Sequence, residues 1–360
     1  MKSWLILEIA NVHGARNGNV VSFNNFNKMK TISRLEFLKS AGFATAGMIV
    51  GGKVSAETLP ESEGIYQEPQ ARQQQTPEQR AAALARQNTL QGPITAKGKI
   101  GNMEFSRLIL GGNPIGGWLH SRDLSYVGAL ARAYLTDEKK MEVFQMAENC
   151  GVDTILGHPV MIDVLNKYWS RGIGKIKWLS DCGGGGDLAT SAQLSIDGGC
   201  VGGYTHGSRT DGLVQNGDFK SIEQGLDVFR KAGMPAGIGA HKIETLIACV
   251  ANGLIPDFWM KTFHHLDYWS AFPNEPARDN RYCDDPQGVI DFFAERKEPF
   301  IAFKVLAAGA IPAASGIRFG LENGGDFVCL GMFDFNMIQD VNLFNEIMGD
   351  LGNRKRPWCA

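Results

Sequence analysis

From Ile100 onward, short apolar runs alternate with segments whose apolar residues recur at helical spacing. That alternation is the signature of βαβ units and a parallel sheet. Strand-length runs occupy residues 107–110, 154–156, 176–179, 200–204, 236–238, 258–263, 300–305 and 327–330. Helical spacing predicts helices over 138–148, 161–169, 221–231, 243–251, 286–295, 314–322 and 337–348. Eight strands with helices between them, over about 250 residues, have the size of one (β/α)8 barrel. Residues 99–350 are read as that α/β TIM barrel domain, with a C-terminal tail over 351–360. A doubly wound sheet is the alternative, but GGNPIGG after the first strand lacks the GxGxxG spacing that fold would place there.

The barrel reading gives the histidines a common address. Six of the seven, His120, His158, His206, His241, His264 and His265, close or follow a strand-length run. Strand carboxyl ends share one mouth in such a barrel, and chemistry is done there. Asp181, Tyr204 and Lys304 fall at the same ends. The net charge of −2, with no long basic run, argues against a nucleic-acid partner. Seven cysteines without a CxxC pair read as buried free thiols rather than a disulfide framework.

Ahead of the barrel the composition changes. Residues 29–56 combine basic residues, a modest apolar stretch and Val54-Ser55-Ala56, the pattern of a signal peptide. The apolar stretch is too short and glycine-rich for a stable span, so no membrane span is expected after signal removal. SRLEFLK resembles a twin-arginine export motif with Leu35 where the second arginine belongs. A periplasmic or secreted location follows, and residues 1–28 read as an upstream extension. Residues 57–98 have linker composition, with a short helix starting at the capping box Thr76-Pro77-Glu78-Gln79.

Longer stretches carry a family resemblance. FSRLILGGNPIGG, GVDTIL, YTHG with DFKSIEQGLDVFRKAGMPAGIGAH, PFIAFKVLAAG and GIRFGLENGGDFVCLGM resemble, in order and spacing, strands and helices of the aldo-keto reductases. The resemblance runs from Gly101 to about Gly349 and implies that family's type of (β/α)8 barrel. It also implies an Asp-Tyr-Lys-His tetrad around NADPH, and here the match breaks. The family's Asp falls on Leu156, its Tyr near Met161 or Ile162, and its Lys on Asp181, while the histidine is kept as His206. Its amide-holding Ser-Asn falls on Gly239 and Ala240, and its Gln on Met260. Phe263 stands where a ring stacks on nicotinamide, whereas Asp334, beside Phe333, would repel a phosphate. The residues argue against NAD(P) as cofactor.

What remains at the mouth suggests other chemistry. Imidazoles and a carboxylate on separate strands suit a divalent metal, Zn, Mn or Fe, and the ligand set read here is Asp181, His206, His241 and His264. The same groups without metal can act as acids and bases. The catalytic candidates are His206, Lys304, His158 and His265, with Lys304 as a base or enolate stabiliser. Trp118, His120 and Tyr204 are the substrate candidates, Trp118 as a platform for a sugar ring. The leading expectation is a non-redox, metal-assisted lyase, hydratase, epimerase or hydrolase acting on a small polyhydroxy or keto substrate. A divergent NAD(P)-dependent oxidoreductase and a non-catalytic ligand-binding barrel stay open beside it.

Overall fold

The computed structural model describes residues 76–272 and 279–360. The expectations for the leader, its cleavage and the upstream extension lie outside the described residues. All eight expected strands are present: β3 (Leu108–Gly111), β4 (Thr154–Gly157), β5 (Lys177–Ser180), β6 (Gly202–Thr205), β7 (Ala236–Ala240), β8 (Phe258–Thr262), β9 (Phe300–Phe303) and β10 (Phe327–Leu330). They pair in parallel and in chain order, and β10 closes on β3 to complete a barrel.

Helices follow the strands on the outside. The expected ones are α4 (Asp137–Asn149), α5 (Ile162–Ser170), α8 (Phe219–Lys231), α9 (Ile243–Ala251), α10 (Pro286–Ala294), α11 (Ala313–Glu322) and α12 (Asp334–Gly349). The linker helix α1 (Pro77–Gln87) begins at the expected capping box, with Thr76 and Gln79 exchanging backbone-to-side-chain hydrogen bonds. Asn342 of α12 donates to the carbonyl of Gln87, the last residue of α1.

Several elements were not legible in the pattern. A hairpin of β1 (Lys97–Ile100) and β2 (Met103–Ser106) precedes the barrel. Its apolar side chains, Ile100 and Phe105, pack with Phe258 and Phe327 and close the floor. Helices α2 (Asn113–Gly116), α3 (Ser125–Tyr134), α6 (Leu188–Asp197) and α7 (Gly207–Gln215) lie in the loops after β3, β5 and β6. Serines, threonines and glycines hide the periodicity of α6 and α7, and tertiary packing overrides that weak propensity.

The barrel interior is layered. Leu156, Tyr204, Met260 and Cys329 come from β4, β6, β8 and β10, every second strand, and share one interior cluster. Ile109, Leu179 and Ile301 come from the intervening strands β3, β5 and β9. Alternate strands filling alternate layers is how a barrel of eight packs its core. Strand β7 contributes glycine to this interior. A Cβ at Gly239 would sit 2.6 Å from the Tyr204 ring, and one at Gly237 would sit 2.5 Å from the Phe258 ring. The two glycines make room for the two rings.

Residues 351–360 are not a loose tail. Asp326 is fully buried and binds Arg356 Nη1 at 2.6 Å, while Arg354 Nη2 lies 3.8 Å away. It also accepts the backbone N–H of Cys359 at 2.8 Å. Arg107 donates to the Ala360 carbonyl at 2.8 Å and stacks under Trp358. This network locks the chain under the end of the barrel opposite the mouth. All seven cysteines are free thiols, six of them buried.

Candidate active site

The same two-residue alternation that builds the core also aims the polar groups. Leu156, Leu179, Tyr204 and Gly239 occupy inward positions, so the residues two further along must point into the mouth. Those residues are His158, Asp181, His206 and His241. All four line one cavity of about 730 Å³ above the layer of Leu156, Tyr204, Met260 and Cys329. Trp118, His120 and Lys304 join them from the neighbouring loops.

Lys304 arrives by a different route. Phe303 takes the inward position at the end of β9 and lines the cavity, so regular alternation would turn Lys304 outward. Its backbone has φ +56°, in the left-handed region, and this breaks the alternation. A non-glycine residue held there is strained, and such strain concentrates at functional sites. The Lys304 Nζ sits 3.9 Å from the centroid of the Tyr282 ring. Among the described residues it has no hydrogen-bond acceptor. Burial pushes its pKa down to about 8, against the opposing attraction of Asp279 and Asp211.

Two carboxylate-paired imidazoles line the cavity with this lysine. His241 Nδ1 lies 3.0 Å from Asp211 Oδ2, and the same oxygen accepts the His241 backbone N–H at 3.1 Å. Thr245 donates to the other oxygen at 2.7 Å. These bonds hold the Asp211 carboxylate against the raising effect of burial, and its pKa is lowered on balance. With Nδ1–H given to Asp211, the free lone pair of neutral His241 is on Nε2. In the second pair, His120 Nδ1 lies 2.9 Å from Asp279, which also accepts the Tyr282 hydroxyl at 2.6 Å. Burial and Lys304 lower the pKa of His120.

Burial disfavours the charged forms of the other cavity groups. Burial pushes His206 down to about 4, assisted by the neighbouring His241, His158 and Lys304, and its Nδ1 lies 2.9 Å from Ser208 Oγ. His158 accepts the Val160 N–H at Nδ1, so its neutral ring carries the proton on Nε2. Burial lifts Asp181 to about 7 even though its Oδ1 accepts the Gly183 N–H at 2.8 Å. Tyr204 reaches into the cavity from the core, and among the described residues its hydroxyl has no hydrogen-bond partner. The Trp118 ring, 47% exposed, covers His158 at 4.6 Å between centroids.

Comparison with known proteins identifies no family. No family model matches the chain, and no curated protein matches it. Among solved structures it is similar to a truncated 3-deoxy-D-arabino-heptulosonate 7-phosphate synthase from Thermotoga maritima. The identity is 14%, over 72% of this chain and 94% of that one, with a TM-score of 0.46. A glycerol dehydrogenase from Gluconobacter oxydans is 10% identical over 62% of this chain and 65% of that one, with a TM-score of 0.37. The fold implied by the aldo-keto reductase resemblance, an α/β (β/α)8 barrel, is the fold the chain adopts.

Three expectations need correction. His264 is fully buried and does not line the cavity. Its Nδ1 bonds the His265 carbonyl, and its Nε2 accepts the backbone N–H groups of Tyr282 and Cys283 at 3.0 and 3.1 Å. Both nitrogens are spent on the segment that covers it, so it cannot complete a metal shell with Asp181, His206 and His241. Among the described residues, no three His, Cys, Asp or Glu side chains converge as metal ligands. His265 likewise has both nitrogens engaged, by Ser315 and the Asp267 N–H, and lies outside the cavity lining. Phe263 is buried behind the barrel wall against Phe300 and Phe319, where it cannot stack on a cofactor.

Sequence reasoning missed Asp211, Asp279 and Tyr282. Asp211 lies in the unrecognised helix α7, five residues after His206, and becomes His241's partner only across the β6–β7 junction. His264→Ala is expected to lower the melting temperature, because two buried N–H groups lose their acceptor at roughly 1–3 kcal/mol each. The metal content of purified protein should not change; a bound metal lost from the variant would restore His264 to a ligand role.

Proposed function

We propose that this protein is an enzyme that moves protons on a small carbonyl-bearing polyhydroxy substrate, as an epimerase, hydratase or lyase does. The observation that carries this reading is the convergence on one cavity of the Asp211-held His241 and of Lys304, which among the described residues has no acceptor. A proton can be taken from the carbon beside a carbonyl when a base is aimed at it and a positive group faces the oxygen that gathers charge. His241 Nε2 is the base, and Lys304 is the positive group. Asp211 keeps the imidazole in the tautomer that leaves Nε2 free. Asp181, which burial lifts to about 7, lines the same cavity and can carry and return a proton near neutral pH. The apolar floor and the Trp118 platform suit one face of a sugar ring.

The acid–base reading is favoured over the metal-assisted one because His264 is committed elsewhere, which leaves an incomplete ligand set. It is favoured over nicotinamide chemistry because Leu156, Gly239 and Met260 offer no polar contact and Phe263 is turned away.

Incubating the protein with a panel of ketoses, aldoses and keto-sugars in D2O and following the spectra by NMR tests the proposal. Deuterium should enter beside the carbonyl of one substrate class without added metal or nicotinamide. Asp211→Asn should slow that exchange by roughly 10²–10⁴-fold, through loss of the productive tautomer. Exchange that stops with a chelator and returns with Zn, Mn or Fe would favour the metal-assisted reading. Consumption of NADPH would favour a reductase. On the residues of 29–56 we also propose export, checked by finding an N-terminus near Glu57 in periplasmic or secreted protein.

A further inference from the structure

The proton-transfer reading leaves open how the substrate carbonyl is held. We propose that Lys304 binds it covalently, as an iminium, and that the substrates are open-chain ketoses or related keto compounds whose carbonyl carbon can reach Nζ. The inference rests on the proposed function and adds a bond to it.

Three observations carry it. The strained backbone at Lys304 turns an otherwise outward side chain into the cavity. Among the described residues its Nζ has no carboxylate or carbonyl bonded to it, and it lies against the face of the Tyr282 ring instead. A lysine kept for structure or for simple charge would normally be paired when buried, since an unpaired buried ammonium is costly. The third is the pair of carboxylate-held imidazoles, His241 and His120, that line the same cavity. Both can take the ammonium's proton and give it back.

The chemistry balances without any further reagent. An imidazole takes one proton from the Lys304 ammonium, and the freed nitrogen lone pair attacks the substrate carbonyl carbon. A C–N bond forms while the carbonyl π pair moves to oxygen, which picks up a proton. The nitrogen, now carrying two protons and a positive charge, gives one to an imidazole; the hydroxyl is then protonated and leaves as water as the freed nitrogen pair forms C=N. Of the three protons on the starting ammonium, one remains on the iminium, and the other two match those carried off by the water. His241 Nε2 then removes the adjacent C–H proton, and the electron pair runs into the iminium to give a neutral enamine. Reprotonation and attack by water reverse the steps and release the lysine.

Reductive trapping tests this directly. Wild-type protein is treated near neutral pH with sodium cyanoborohydride and either formaldehyde or dihydroxyacetone, and the modified lysines are mapped by peptide mass spectrometry. Formaldehyde reads the reactivity of the amine whatever the fit of the cavity. Dihydroxyacetone reads the proposed substrate class. The expected result is modification of Lys304 at least tenfold faster than of exposed Lys167 with both probes. His241→Ala should retain labelling by formaldehyde while losing deuterium exchange. Lys304 labelled by neither probe, or no faster than Lys167, overturns the proposal. So does labelling by formaldehyde alone, because the carbonyl class would then be wrong. If deuterium exchange in the wild type persists while trapping fails, the iminium falls and the proton-transfer reading stands. Trapping at Lys304 without exchange would remove that reading and keep the covalent site.

Discussion

Replacing Lys304 with methionine is expected to lower turnover by roughly 10²–10⁴-fold and at the same time make the protein more stable. The two effects have one cause. The wild-type side chain places a positive group in a partly desolvated cavity with no acceptor among the described residues, and its pKa falls to about 8 from the usual lysine value. Between about pH 8 and the ordinary lysine range, the unfolded chain binds more protons than the folded one. Stability contributed by this group therefore rises with pH across that window. Below pH 8 the full penalty is present, up to roughly 3 kcal/mol by linkage. Methionine removes the charge and keeps most of the volume. The melting temperature of the variant should exceed that of the wild type at pH 7, and the gap should narrow toward pH 10. An active site that trades stability for function shows this pattern. Equal stability at both pH values, with activity retained, would place Lys304 among the surface lysines. The pH–rate profile should carry a limb near 8 that is absent from Lys304→Met.

Asp326→Ala should have the largest effect on stability. Among the described residues its carboxylate is the one acidic partner of Arg356 at 2.6 Å and the nearest for Arg354 at 3.8 Å; Asp326 and Arg356 are buried and Arg354 is largely so. Removing one member of a buried charge network leaves the remaining charges uncompensated, at a cost of about 3–5 kcal/mol. For a domain of this size that corresponds to a fall in melting temperature of roughly 10 °C. Asp326→Asn retains the shape and one acceptor oxygen but loses the charge. It should fall between the wild type and the alanine variant, and it serves where Asp326→Ala does not fold. Thermal unfolding followed by circular dichroism decides the order. The active site lies at the other end of the barrel, so turnover per folded molecule should be unchanged.

Much of the barrel was legible in the sequence because it depends on local repetition. The eight strand-length runs and seven of the helices were marked by apolar spacing and found in place. The same period of two explains why His158, Asp181, His206 and His241 reach the cavity, two residues beyond Leu156, Leu179, Tyr204 and Gly239. Four of the expected site residues were thus determined by the strands that carry them. Elements rich in small polar residues, such as α6 and α7, gave no such signal.

What the sequence could not determine depends on packing between distant segments or on a single backbone angle. His264 looks like a site histidine from its place after β8, but the backbone of Tyr282 and Cys283 folds over it and takes its free nitrogen. Phe263 is one residue out of phase with the interior and packs behind the wall. Lys304 is at the mouth as expected, but strand alternation alone would turn it outward, and one left-handed residue brings it in. Asp211 and Asp279 have no sequence neighbour that marks them, and they acquire a role only because His241 and His120 are brought beside them. Alternation along a strand is local and can be read in one dimension. Which loop covers which end, and which carboxylate meets which imidazole, is decided when the barrel closes.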